Sequence, residues 1–175
     1  MMRRNKARRT SERRRGQALL EFALVYVGVV VPLTFGIIFL SQMLWVWHSV
    51  VELNRDVARY AATHCFQSDT QNVITYMQTH VPRMVDQQQF QQGQATLLVQ
   101  YLARDPDSGQ LTPFSCDGDC SVNCVPDAVT VSISDYQFKH FLDFLKLPPI
   151  TMPPFTTSLP IESAGCDPQQ GNCLP

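Results

Sequence analysis

Gly16 and Glu21 are the residues of this chain whose type and spacing point most directly to chemistry. Glu21 stands at the mouth of a run, Phe22 to Val51, that contains no Asp, Glu, Lys or Arg. A carboxylate beside hydrocarbon needs a partner or a route to water, because a charge inside a membrane costs about 2.5–3.5 kcal/mol even on lenient scales. Five residues before it, Gly16 closes a basic leader that ends Arg13-Arg14-Arg15. Beyond the apolar run lie six cysteines: Cys65, Cys116, Cys120, Cys124, Cys166 and Cys173. Two further patterns resemble cation sites. Asp105-Pro-Asp107-Ser-Gly109 begins like a calcium loop, but Cys116 stands where the bidentate Glu is needed, and Asp and Gly also simply make turns. Cys116-x3-Cys120-x3-Cys124 misses the usual Cys-x2-Cys zinc pairs. His48, His64, His80 and His140 are scattered and define no site. No nucleophile, base and orienting group form a recognised motif, so the chain reads as a building block rather than an enzyme, with no cofactor and no metal.

The elements that must position these residues follow from charge and hydropathy. Residues 1–16 hold eight basic side chains against Glu12, a surplus of +7, and the rest of the chain offsets it at −8, for a net charge of −1. Basic clusters flanking an apolar span stay cytoplasmic, which sends everything after the span across the membrane. The same placement accounts for the arginines without nucleic acid. The span, about 22–46, covers about 37 Å as a helix, too long for the core of a cleavable secretory signal. Trp45 and Trp47 fall where an interfacial belt belongs. Pro32 and Gly36 predict a kink or loosened turn inside the span. After it, Val50, Asn54, Val57, Ala58, Ala61 and Cys65 keep a helical period, so one helix is expected from about 17 to 65.

The segmentation expected is a leader over 1–16, a long helix over 17–66 and an outer domain over 67–175. That domain holds a Cys-rich loop at 104–127 and a Pro- and Cys-rich tail. A second helix is predicted over 71–85, capped from Ser68-Asp69-Thr70, with Val73, Met77, Val81 and Met84 on one stripe. The Gln-rich stretch 87–94 reads as a polar helix extension or a loop. Residues 96–102 read as a buried strand and Val129 to Ser134 as a half-buried one. Residues 138–147 suit either helix or extended chain. Across the membrane, an even cysteine count implies disulfides, with Cys166–Cys173 the favoured local pair. The fold class expected is α+β: a long transmembrane helix followed by a small disulfide-stabilised domain.

The junction Arg14-Arg15-Gly16-Gln17-Ala18-Leu19-Leu20-Glu21-Phe22 resembles the processing site of type IV pilins. With Pro32, Gly36-Ile37-Ile38 and Ala58-Arg59-Tyr60-Ala61-Ala62, residues 13–66 are similar to the TadE-like pseudopilins of the tight adherence (Flp) pilus apparatus. The block Val129 to Ser134, with Tyr136, Phe138 and Leu147-Pro148-Pro149-Ile150, resembles that family's C-terminal strands. The resemblance implies cleavage after Gly16 by a prepilin peptidase, which would free an amine on Gln17. It also implies that this amine neutralises Glu21 of a neighbouring subunit, with Phe22 opening the apolar helix. Implied partners are inner-membrane lipid, the peptidase and other pilins and pseudopilins. The implied place is a single pass of a bacterial inner membrane, N-terminus cytoplasmic and outer domain periplasmic, and the implied role is priming, tipping or anchoring a surface pilus for adhesion and biofilm formation, whether within the fibre or from the membrane. Gln17-Ala18 departs from the Phe-Thr start of type II secretion pseudopilins, and the chain is longer than major Flp pilins, which points to a minor pseudopilin. The alternative is an uncleaved bitopic scaffold or tethered binding module of a secretion system.

Overall fold

A computed structural model describes residues 17–139, 142–143, 146–167 and 169–173. Helix α1 runs from Gln17 to Thr63. The chain divides into two compact units, the first ending at Met43 and the second running from Leu44 to Pro175. In the first unit, side chains are exposed almost all round, as befits a helix with no polar face to turn to water.

The second unit pairs the C-terminal turns of α1 with a four-stranded antiparallel sheet. Its strands are β1 (Thr96–Arg104), β2 (Leu111–Pro113), β3 (Ala128–Ser134) and, after two short strands, β6 (Phe155–Pro160). Their order is β2-β1-β3-β6. Along β3, Val129, Val131 and Ile133 alternate with Thr130, Ser132 and Ser134, and the apolar set is fully buried. Each such side chain contributes about 1.5–3 kcal/mol through burial. The helix presents Val46, Val50, Leu53, Asn54, Val57, Ala58 and Ala61, all buried and spaced on one stripe. Asn54 ties the stripe to the sheet: its Nδ2 donates to Thr157 Oγ1 at 2.9 Å and to the carbonyls of Phe155 and Val131 at 3.3 and 3.4 Å. Trp47 meets Phe155 edge-on with centroids 4.9 Å apart. On the far face hydroxyls pair across strands, Thr130 with Ser158, Ser132 with Thr156 and Thr96 with Ser134. The buried strand expected over 96–102 is only half-buried. Leu98 is 53% exposed, because one face alone is covered and only every second residue reaches the core.

The second helix is shorter than its apolar stripe. α2 spans Gln71–Thr79, burying Val73 and Met77, while Met84 lies exposed beyond it. Pro82 has no N–H for the carbonyl of Gln78, and it disfavours helical backbone at Val81. Gln87 Nε2 takes that carbonyl instead, at 2.8 Å. Thr70, at the N-cap position, has φ +54° and gives no side-chain cap; Asp69 Oδ1 accepts from Gln71 N instead. The Gln-rich stretch forms α3, Gln87–Gln91, capped by Asp86, whose side chain accepts from Gln88 N.

Gln89 is buried, and its amide acts as a strand for Gln137. Nε2 donates to the Gln137 carbonyl and Oε1 accepts the Gln137 N–H, both at 2.8 Å. Gln137 opens β4 (Gln137–Phe138), which pairs with β5 (Ile150–Thr151). Gln89→Ala strands two part-buried backbone groups, so the expected loss is about 2 kcal/mol. Urea unfolding should show a lower midpoint at unchanged slope.

All six cysteines are bridged: Cys65–Cys120, Cys116–Cys124 and Cys166–Cys173. The last bridge joins β7 (Cys166–Asp167) to β8 (Asn172–Cys173). The would-be calcium loop instead closes the β1–β2 hairpin. Asp105 Oδ1 accepts from the N–H of Asp107 and Ser108, which lowers the pKa of its carboxyl, and Gly109 turns with φ +69°. Asp119 accepts from Ser68 N at 2.8 Å. Among the described residues no group of three or more His, Cys, Asp or Glu is placed to hold a metal ion.

Candidate functional site

Gly16 lies outside the described residues. Directly after it, Gln17 stands one turn of α1 before the adjacent pair Glu21 and Phe22. Spacing of four places Gln17 beside Glu21, and Gln17 Nε2 donates to Glu21 Oε1 at 3.3 Å. The carboxylate has no cationic partner among the described residues. Phe22 is 69% exposed, and its ring lies 6.1 Å from that of Tyr26. Acid, amide and apolar ring are thus presented outward together.

Further along, the helix changes register. Residues Tyr26–Val30 form a π-helical turn, and the Val31 N–H donates to the carbonyl of Tyr26, five residues back. Pro32 explains its position. The proline offers no N–H to the carbonyl of Gly28, and its ring would press on that carbonyl in a regular α-turn. A wider turn just upstream relieves this crowding. From Val31 the helix is α-helical through Gly36, around which there is open space. Thr34 and Ser41 donate their hydroxyls to the carbonyls of Val31 and Ile37. Apolar surroundings therefore meet no unsatisfied hydroxyl at either residue.

The helix ends in a tethered junction. Cys65 is bridged to Cys120, and the Cys120 N–H donates to the carbonyl of Phe66 at 2.9 Å. Phe66 in turn packs edge-on against Tyr101 and Phe114. Tyr101 is buried, and its hydroxyl has no hydrogen-bond partner among the described residues. Desolvation by burial, helped by the nearby Tyr60, pushes its pKa up to about 12. A tyrosine that ionises late in the folded state stabilises below its ordinary pKa, and the unfolded chain gains by ionising first. Stability is therefore expected to fall between about pH 10 and 12, following tyrosinate absorbance, and Tyr101→Phe should flatten that fall.

Two histidines that looked scattered are brought together here. His64, Tyr60, Tyr76 and His80 form one stack of rings, with successive centroids 3.7, 4.0 and 4.1 Å apart. Each histidine holds Nδ1 at 3.0 Å from the carbonyl of the tyrosine four residues before it. The repeated Tyr-x2-Thr-His at 60–64 and 76–80 was the legible signal, and it fixes both helix ends against each other.

These features define a chain with one N-terminal helix long and apolar enough to cross a membrane, followed by a small disulfide-bridged α+β sheet unit. Within that class, residues 16–59 match the family model described as TadE-like protein. No curated protein and no solved structure matches the chain.

Proposed function

We propose that the chain is a minor pseudopilin of a tight adherence pilus, cut after Gly16 by a prepilin peptidase and active in priming, capping or anchoring the fibre. The observation that carries this reading is the TadE-like match over 16–59, which covers the Gly16–Glu21 junction and the exposed helix after it. In this reading α1 holds the subunit in the inner membrane and later packs among the helices of other pilins. The basic leader keeps the N-terminus cytoplasmic, and the sheet unit faces the periplasm, where its bridges form and persist. Glu21 sets axial register by accepting the free amine of a neighbour's first residue, a pair that gains strength once water and lipid are excluded. Chemical cross-linking in piliated cells, followed by purification of the tagged chain, tests the reading. Major pilin and assembly proteins should appear among its cross-linked partners, and a partner set without any pilus component would refute it.

A further inference from the structure

The sheet has an open edge beside an apolar cleft. β1 pairs with β2 only over Leu102–Arg104. Strand geometry fixes which backbone groups point to that side. Phe114 N donates to Tyr101 O and Asp105 N to Gln110 O, so odd-numbered residues face the β2 edge, whereas Leu102 O turns the other way to accept from Asp127 N. The N–H and C=O of Leu97 and Val99, and the N–H of Tyr101, therefore face outward and have no backbone partner among the described residues. Pairing stops because the chain peels away after Phe114, and Cys116 is tied back to Cys124. The space it vacates is a cleft of about 350 Å³ lined by Phe66, Val99, Tyr101, Pro113 and Phe114.

We propose that this edge is a docking site for an extended, uncharged peptide segment of a second protein, which adds a strand along Leu97–Tyr101 and sets one large apolar side chain into the cleft against Tyr101 and Phe114. Unpaired edge groups template strand addition, and adjoining pockets select alternate side chains. The occupant's chemistry follows from the lining. No residue that lines the cleft is formally charged, so a charged segment would be desolvated there without a counter-ion. A strand of this length buries on the order of 600 Å², short of the roughly 1,200–2,000 Å² typical of two folded domains. That size suits a peptide segment rather than a second copy of this unit. The inference does not depend on processing at Gly16.

The test is an NMR titration of the isotope-labelled full chain in detergent micelles with the peptide acetyl-Thr-Val-Phe-Val-Thr-amide. The amides of Leu97, Val99 and Tyr101 should shift together and exchange more slowly, those of β6 staying unchanged. Val99→Pro removes the central outward donor without breaking a β1–β3 bond and should weaken binding about tenfold or more. Phe114→Ala, which keeps the edge, should weaken this peptide but not one with Ala at its centre. No shift at the three amides with the peptide at about 2 mM overturns the proposal. So does unchanged affinity in both variants. Protection of those amides without peptide, with sedimentation reporting a dimer, replaces the peptide by a second copy and also overturns it.

Discussion

Replacing Cys65 and Cys120 together by serine is expected to cost the sheet unit about 4 kcal/mol, the largest single loss of stability in the chain. The bridge closes a loop across a sequence separation of 55, which contains α2, α3, β1 and β2. Chain-entropy arguments make a long loop the most expensive to leave open, and small domains hold only about 5–15 kcal/mol in total. The same bridge fixes the end of α1 to the segment that accepts from Ser68 and donates to Phe66. Without it, the Phe66 ring loses its fixed place beside Tyr101 and Phe114. Cys166 and Cys173 enclose a separation of only 7, and their double serine variant should cost about 2–3 kcal/mol. Urea unfolding of the full chain in detergent, read by the near-ultraviolet signal of the aromatic rings, ranks the two. A larger loss for the short loop would contradict this account of the fold.

Glu21→Ala is expected to leave membrane insertion and cleavage intact while abolishing co-assembly with other pilins. Removing one member of a buried charge pair costs about 3–5 kcal/mol, which is roughly 100- to 4,000-fold in association. Among the described residues the carboxylate meets the neutral amide of Gln17, at 3.3 Å, and no cation, so in the proposed assembly a neighbour's amine would pair with it without a competing charge. Glu21→Gln keeps size and hydrogen bonding but not charge, and it should fail in the same way. If either variant co-purifies normally with pilus components, Glu21 is an interface residue that reaches water beside the positive helix terminus.

The long helix and the central strand were legible because burial on one side leaves a period. Val50, Asn54, Val57, Ala58 and Ala61 repeat on the helix, and Val129, Val131 and Ile133 alternate on β3. Residues whose roles come from distant partners were not legible. Gln89 looks like one more polar residue until Gln137 stands opposite it, 48 positions away. The stripe through Val81 and Met84 promised a longer α2, but Pro82 removed the donor that Gln78 required, and no window of hydrophobicity records that. Leu98 lies in an apolar run that reads as buried, yet among the described residues no second layer covers the outer face of β1. Near Pro32 the sequence located a disturbance to within a turn, whereas the π register at Tyr26–Val30 depends on backbone crowding upstream. The cysteine count implied bridges, and only the fold brings Cys65 to Cys120.

The most direct test of the proposed role is the N-terminus of the chain purified from membranes of cells with an active prepilin peptidase, read by sequencing and intact mass. The account predicts a start at Gln17 and the mass of residues 17–175 with three disulfides. A start at Met1 or Met2 would contradict it and leave an uncleaved membrane-anchored scaffold.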